Sequence, residues 1–137
     1  MFEVRLADRN DALPLANLIN LYIHDIADYW DDMELNSHGI YGWPLDKFFS
    51  KNEKFKAFLF YANGNLAGFG LVDDMVCLKE NEIWMSQFFV VKKHRRKGLA
   101  EFAANHIFNN IRGKWEVGQM PKNIVGQAFW RKGLSSL

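Results

Sequence analysis

The apolar stretch Met85-Ser86-Gln87-Phe88-Phe89-Val90-Val91 runs directly into Lys92-Lys93-His94-Arg95-Arg96-Lys97-Gly98-Leu99-Ala100. This succession leaves few arrangements open. Residues of strand character give way to a run of basic residues broken by His94, then to a glycine, then to helical periodicity. A strand feeding a glycine-marked loop that opens a helix is a device for holding an anion. The loop turns its N–H groups inward as a nest, and the helix adds the positive end of its dipole. Gly98 matters because a side chain there would keep a phosphate away from the backbone. The same run also reads as a solvated turn or as a nucleic-acid patch, so the rest of the chain must bear on the choice.

With 137 residues and 49% hydrophobic composition, the chain is expected to form one domain with a real core rather than a disordered tract. No apolar run approaches the length of a membrane span, and Met1-Phe2-Glu3-Val4-Arg5 lacks signal-peptide form. The single Cys77 rules out an internal disulfide framework. The expectation is a cytoplasmic protein with no membrane partner. A net charge of +1 argues against a general nucleic-acid binder. Its distribution says more: residues 1–50 hold nine acids against three bases, and the remainder seven against fourteen. An acidic front and a basic back suit a protein that takes a cation on one side and a polyanion on the other.

Phe2 to Ala7 alternates apolar and charged residues as a strand does. Asp8-Arg9-Asn10-Asp11 reads as a turn that caps a helix, with Pro14 tolerated in its first turn. Leu15, Leu18, Ile19, Tyr22, Ile23, Ile26 and Ala27 then mark an amphipathic helix expected to run to about Tyr29. His24 and Asp28 are one turn apart, but no further ligands join them, so they read as an ion pair and no metal is expected. From 29 to 49 acids alternate with aromatics, among them Tyr29, Trp30, Asp31, Asp32, Tyr41 and Trp43. Either these aromatics pack, or the segment walls a pocket in which acids attract an ammonium and ring faces hold it.

Lys54 to Tyr61 is β-rich, Asn63-Gly64 signals a hairpin, and Leu66 to Val72 is the partner strand. Gly68 and Gly70 within it point to close backbone approach or a bend. Ile83 to Val91 forms the strand entering the Gly98 loop. Leu99, Phe102, Ala103, His106, Ile107 and Ile111 give the next helix its buried stripe, which Gly113 ends. A short strand from Lys114 to Gly118, a turn at Pro121 and a helix capped by Asn123 complete the order.

Arg95-Arg96-Lys97-Gly98-Leu99-Ala100 resembles the Arg/Gln-x-x-Gly-x-Gly/Ala signature of the GNAT superfamily of N-acetyltransferases. Asn123, Gly126, Phe129, Trp130 and Lys132 are similar to the late Asn-x-x-Ala-x-x-aromatic-Tyr-x-Lys element of the same family. The resemblance implies an α/β (α+β) fold over the whole chain: a mixed, mostly antiparallel sheet flanked by helices, with a splayed parallel strand pair. It implies acetyl-CoA as cosubstrate. The Arg95, Arg96, Lys97, Gly98, Leu99 and Ala100 loop would grip the pyrophosphate. The pantetheine would pair along Phe88, Phe89 and Val90, and Asn123 and Trp130 would complete the cofactor site. Three departures stand out: Trp130 where a Tyr acid is usual, Gly126 for Ala, and an end at Leu137, short of two customary strands. An uncovered edge along Lys114 to Gly118, with Trp115 and Val117 lacking an outer wall, would favour a homodimer. Folding of the segment around Tyr41 over that edge is the monomeric alternative.

The implied chemistry is attack by a neutral amine on a thioester, so a base must take the ammonium proton. Glu82, at the entry to the central strand, is the positional candidate, with Glu80 and Glu116 behind it. Backbone N–H groups near Val90 would polarise the carbonyl. Tyr29, Trp30, Asp31, Asp32 and Tyr41 are the candidate acceptor-binding residues for a small or peptidic amine. The rival expectation is a degenerate member that binds CoA or a protein partner without catalysis.

Overall fold

A computed structural model describes residues 1–27, 33–42, 44–50, 54–74, 82–113 and 115–117. Five strands form one sheet in chain order: β1 (Phe2–Leu6), β2 (Lys56–Ala62), β3 (Asn65–Asp73), β4 (Ile83–Val90) and β5 (Trp115–Val117). The first four are antiparallel, and β5 runs parallel to β4. The expected mixed, mostly antiparallel sheet is therefore present. Helices α1 (Ala12–Asp25) and α2 (Leu99–Asn110) give the sheet its two cores.

Alternation along the strands sends side chains to opposite faces. Leu59, Phe69, Leu71 and Phe89 pack with Leu15, Leu18, Ile19 and Ile23 of α1. Phe58, Phe60, Val72, Met85 and Val90 pack with Leu99, Ala103, Ile107 and Phe108 of α2. Each such fully buried side chain contributes about 1.5–3 kcal/mol.

Local chemistry explains the junctions. Asp8 accepts from the Asn10 N–H at 2.8 Å and donates its own N–H to Asp11 Oδ2 at 3.0 Å, a reciprocal cap at the entry to α1. That backbone bond, and then the Arg5 guanidinium, hold the Asp11 carboxyl below its ordinary value. Asn63 and Gly64 both have positive φ, 51° and 82°, as a tight hairpin between twisted strands requires. A Cβ on Gly68 would lie 2.2 Å from the Phe89 carbonyl oxygen, which accounts for the glycine between β2 and β4.

Three expectations are corrected. Helix α1 ends at Asp25 rather than near Tyr29, because Ile26 leaves the helical region (φ −100°, ψ 9°). Phe102 is 42% exposed and reaches out to the ring of Phe2 at 5.7 Å, while Ala104 and Phe108 take the inner face of α2. Trp115 and Val117 do have a covering layer. Both pack on the α2-side core, and the Trp115 ring meets Phe108 edge-on at 4.8 Å. Trp115 Nε1 also donates to the Ile111 carbonyl at 3.1 Å.

Candidate active site

Strand β5 pairs with β4 only through Ile83–Trp115, Trp84–Glu116 and Met85–Val117. Beyond Met85, β4 continues to Val90 with β3 on one side, and among the described residues no strand pairs with its other edge. Among the described residues the pairing of the two parallel strands ends at Met85–Val117, next to Ser86–Gln87. The Val91 N–H donates to the Ala67 carbonyl at 2.8 Å. Main-chain groups point alternately to the two sides of a strand. Those of Phe88 and Val90 consequently face away from β3, where the Val90 carbonyl accepts from Arg95.

Just past the last described pair with β5 the register between β3 and β4 shifts, with Leu71 opposite Gln87 but Val72 opposite Met85. Ser86 is the extra residue of a bulge, and a bulge re-aims the side chains that follow it. Met85 faces the α2 core, whereas Gln87 faces α1 and accepts a hydrogen bond from the Tyr22 hydroxyl. The Tyr22 ring is held edge-on to Phe69 and Phe89 at 5.6 and 5.7 Å. Burial, and secondarily the nearby Asp25 carboxylate, push the Tyr22 hydroxyl up to about 12, so it stays protonated at neutral pH.

After Val90 a short 3-10 turn, Lys92–His94, leads to the loop. Arg96 and Gly98 both have left-handed backbone, φ 61° and 89°, and Gly98 is the residue from which α2 starts. An added Cβ at Gly98 would meet only the Phe2 ring, at 3.8 Å, so the space before the helix is open. Arg96, Lys97 and Gly98 lie toward solvent, while Leu99 is buried under α2 and Ala100 is half-buried.

Arg95 is turned inward. Its Nε donates to the Val90 carbonyl at 2.7 Å and its Nη2 to Asp25 Oδ2 at 2.8 Å. The guanidinium lies 5.4 Å from the centre of the Phe89 ring. Lys92 approaches the other Asp25 oxygen at 3.6 Å. Two of the loop's cations therefore fasten it to the end of α1. Lys93, Arg96 and Lys97 form no salt bridge among the described residues and remain facing solvent.

The sequence-derived residues divide accordingly. Phe88, Phe89, Val90 and Arg95 to Ala100 come together along one strand edge and one helix start. Tyr41 is placed on the α1 side, its N–H donating to Asn20 Oδ1 at 2.9 Å. Glu82 is not brought to Gln87. It is exposed, precedes β4, and lines a surface cleft of about 470 Å³ with Lys56, Asp74, Ile83 and Arg112. About 15 Å of strand separates it from Gln87. Tyr29, Trp30, Asp31, Asp32, Glu80, Asn123 and Trp130 lie outside the described residues. Sequence reasoning missed Tyr22 and Gln87, and it read Asp25 as the start of an acidic segment for a cationic amine rather than as the partner of Arg95. Tyr22 read only as a helix position, and only the bulge turns Gln87 toward it.

Among the described residues no helix is long and apolar enough to cross a membrane. No curated protein sequence matches the chain. A solved structure of a mutant BH1408 protein from Bacillus halodurans superposes with TM-score 0.74 at 14% identity, covering 95% of this chain and 90% of that one. A ribosomal-protein-alanine N-acetyltransferase from Brucella melitensis biovar Abortus 2308 superposes with TM-score 0.64 at 15% identity, covering 96% and 89%. The aminoglycoside acetyltransferase meta-AAC0020 from an uncultured soil metagenomic sample, solved with sisomicin, gives TM-score 0.66 at 15% identity, covering 96% and 86%. These likenesses concern the fold. The model of the acetyltransferase (GNAT) family matches residues 18–135, which include β4, β5 and the Gly98 loop, and the chain belongs to that family.

Proposed function

We propose that the chain is an acetyl-CoA-dependent N-acetyltransferase that transfers the acetyl group to a primary amine in a ternary complex. The observation that supports this reading is the run of β4 from Gln87, past its last described pair with β5, to the exposed, left-handed Gly98 at the start of α2. Gln87 to Val91 spans about 13 Å of strand. An extended pantetheine arm fits that run, pairing with the Val90 N–H. Gly98, Leu99 and Ala100 offer N–H groups to the pyrophosphate, and Arg96 and Lys97 offer charge. Arg95 acts differently from its neighbours: held by Asp25 and the Val90 carbonyl, it shapes the loop.

In the reaction the amine nitrogen bonds to the acetyl carbon as the carbon–sulfur bond breaks. The ammonium first loses a proton, and the departing thiolate gains one. Because Glu82 is far along the strand, water relays the first proton, with Glu82 at most the far end of the relay. Holding both reactants beside Gln87 supplies much of the acceleration, up to about 7–11 kcal/mol in ideal cases. The acceptor enters from the α1 side, where Tyr41 would meet it, and Tyr29, Trp30, Asp31 and Asp32 are the residues whose types suit its ammonium. Pairing of two copies beside β5 belongs to this reading and is checked by sedimentation.

A second reading, CoA binding without catalysis, draws on the distance of Glu82 from Gln87. One experiment separates the two. Purified protein is given acetyl-CoA and a panel of polyamines, aminoglycosides, amino acids and peptides, with thiol release and acetylated product measured by mass. Acetylated amine supports the transferase. A thermal shift with acetyl-CoA but no product supports the binding protein, and neither response overturns both readings.

A further inference from the structure

The β4 bulge places Gln87 just beyond the last described pair of the parallel strands, Met85–Val117, and turns it to the α1 side, the side from which an acceptor would come. Its Oε1 accepts from Tyr22, and among the described residues its Nε2 has no hydrogen-bond partner. A side-chain amide whose oxygen is occupied presents two N–H donors and no acceptor. Asp25, whose charge reaches Tyr22, already holds Arg95 and Lys92. The strand itself carries no acid between Ile83 and Val91. A pair of amide donors suits a carbonyl or carboxylate oxygen.

Resting on the transferase reading, we propose that Gln87 is an acceptor-binding residue that selects amines bearing an adjacent carbonyl, namely the α-amino group of a peptide or amino acid. Gln87 donates to that carbonyl oxygen, which brings the neighbouring amine to this point of β4. Tyr22 is the positioning residue. Its hydroxyl fixes which end of the Gln87 amide faces the acceptor, and its ring is wedged against Phe69 and Phe89 so that the amide cannot swing. A buried donor left without its acceptor is costly, so compounds lacking the carbonyl are disfavoured.

The test uses Gln87→Glu, which keeps the shape and the bond from Tyr22 but removes both donors. Acceptors are short peptides with free N-termini, amino-acid amides, spermidine and an aminoglycoside. In the wild type the carbonyl-bearing amines are expected to be turned over best. In Gln87→Glu their KM is expected to rise about tenfold, the loss of one good hydrogen bond, with the acetyl-CoA KM unchanged. Tyr22→Phe is expected to raise the same KM about threefold without altering acetyl-CoA binding, since Gln87 keeps its donors but loses its fixed direction. A merely structural glutamine would leave the acceptor KM of a folded Gln87→Glu protein where it was. The inference is overturned if that KM stays within about twofold of wild type, if the acetyl-CoA KM moves instead, or if spermidine is preferred over the peptides. Preference for spermidine leaves the transferase reading standing. Acetyl-CoA binding with no turnover of any amine overturns both.

Discussion

Arg95 and Asp25 are joined by a 2.8 Å charge-assisted hydrogen bond that spans seventy positions of sequence and ties the Gly98 loop to the last residue of α1. Arg95 also donates to the Val90 carbonyl, so one side chain fixes the end of β4, the loop and the helix together. Both partners are partly exposed, with side-chain accessibilities of 36% and 24%, and solvent screening reduces their attraction. Asp25→Asn is expected to cost about 1 kcal/mol of stability and to weaken acetyl-CoA binding severalfold. Denaturant unfolding and calorimetric titration measure the two effects. An unchanged affinity would show that the loop holds its shape without the tether.

Gly98 is a second point of control. Its φ of 89° disfavours any side chain, and the open space around it means that a substitution strains the backbone without a clash. Gly98→Val is therefore expected to fold with a loss of about 1–2 kcal/mol. It is also expected to lose most of the stabilisation that acetyl-CoA at 100 times its dissociation constant gives, about 2.7 kcal/mol. Thermal melts with and without ligand decide this. A variant that responds as the wild type does would remove the loop from the cofactor site.

Tyr22 provides a pH signature. Its hydroxyl titrates near 12 when folded, against 10.0 for the ordinary group. Between those values the unfolded chain has released the proton and the native one has not, so stability falls as pH rises through that window. The full difference corresponds to about 3 kcal/mol. Denaturant midpoints at rising pH should decline more steeply for the wild type than for Tyr22→Phe. Ultraviolet titration should find one tyrosine ionising late. Parallel declines in the two proteins would mean that the Tyr22 hydroxyl is not shielded.

Gly68 tests the sheet itself. A methyl group there would meet the Phe89 carbonyl at 2.2 Å and the Phe60 ring at 3.0 Å, and the carbonyl cannot move without disturbing the β3–β4 ladder. Gly68→Ala is expected to destabilise by about 1–3 kcal/mol. Because β4 carries the run proposed for the pantetheine arm, acetyl-CoA affinity should fall as well. Gly70→Ala meets only side chains, the nearest being Ile107 and Phe60 at 3.2 Å each, and should cost less. Equal melting temperatures for the two variants would contradict this ranking.

Features with local causes were legible along the chain. The hairpin at Asn63-Gly64, the cap at Asp8, the strand into the basic loop, and the left-handed Gly98 before α2 each depend on residues a few positions apart. Backbone sterics and short-range periodicity express them directly. Helix α2 was legible in place but not in facing, because the sheet next to it decides that Phe108 turns in and Phe102 turns out. The active-site pairings had no such local trace. Tyr22 meets Gln87 across 65 positions, and Arg95 meets Asp25 across 70. Helix periodicity records that Tyr22 faces inward but says nothing of what lies opposite. The orientation of Gln87 depends on one extra residue in β4, and a single-residue shift reverses every side chain beyond it. Packing of α1 against that shifted strand made neighbours of groups whose sequence contexts carry no mark of one another.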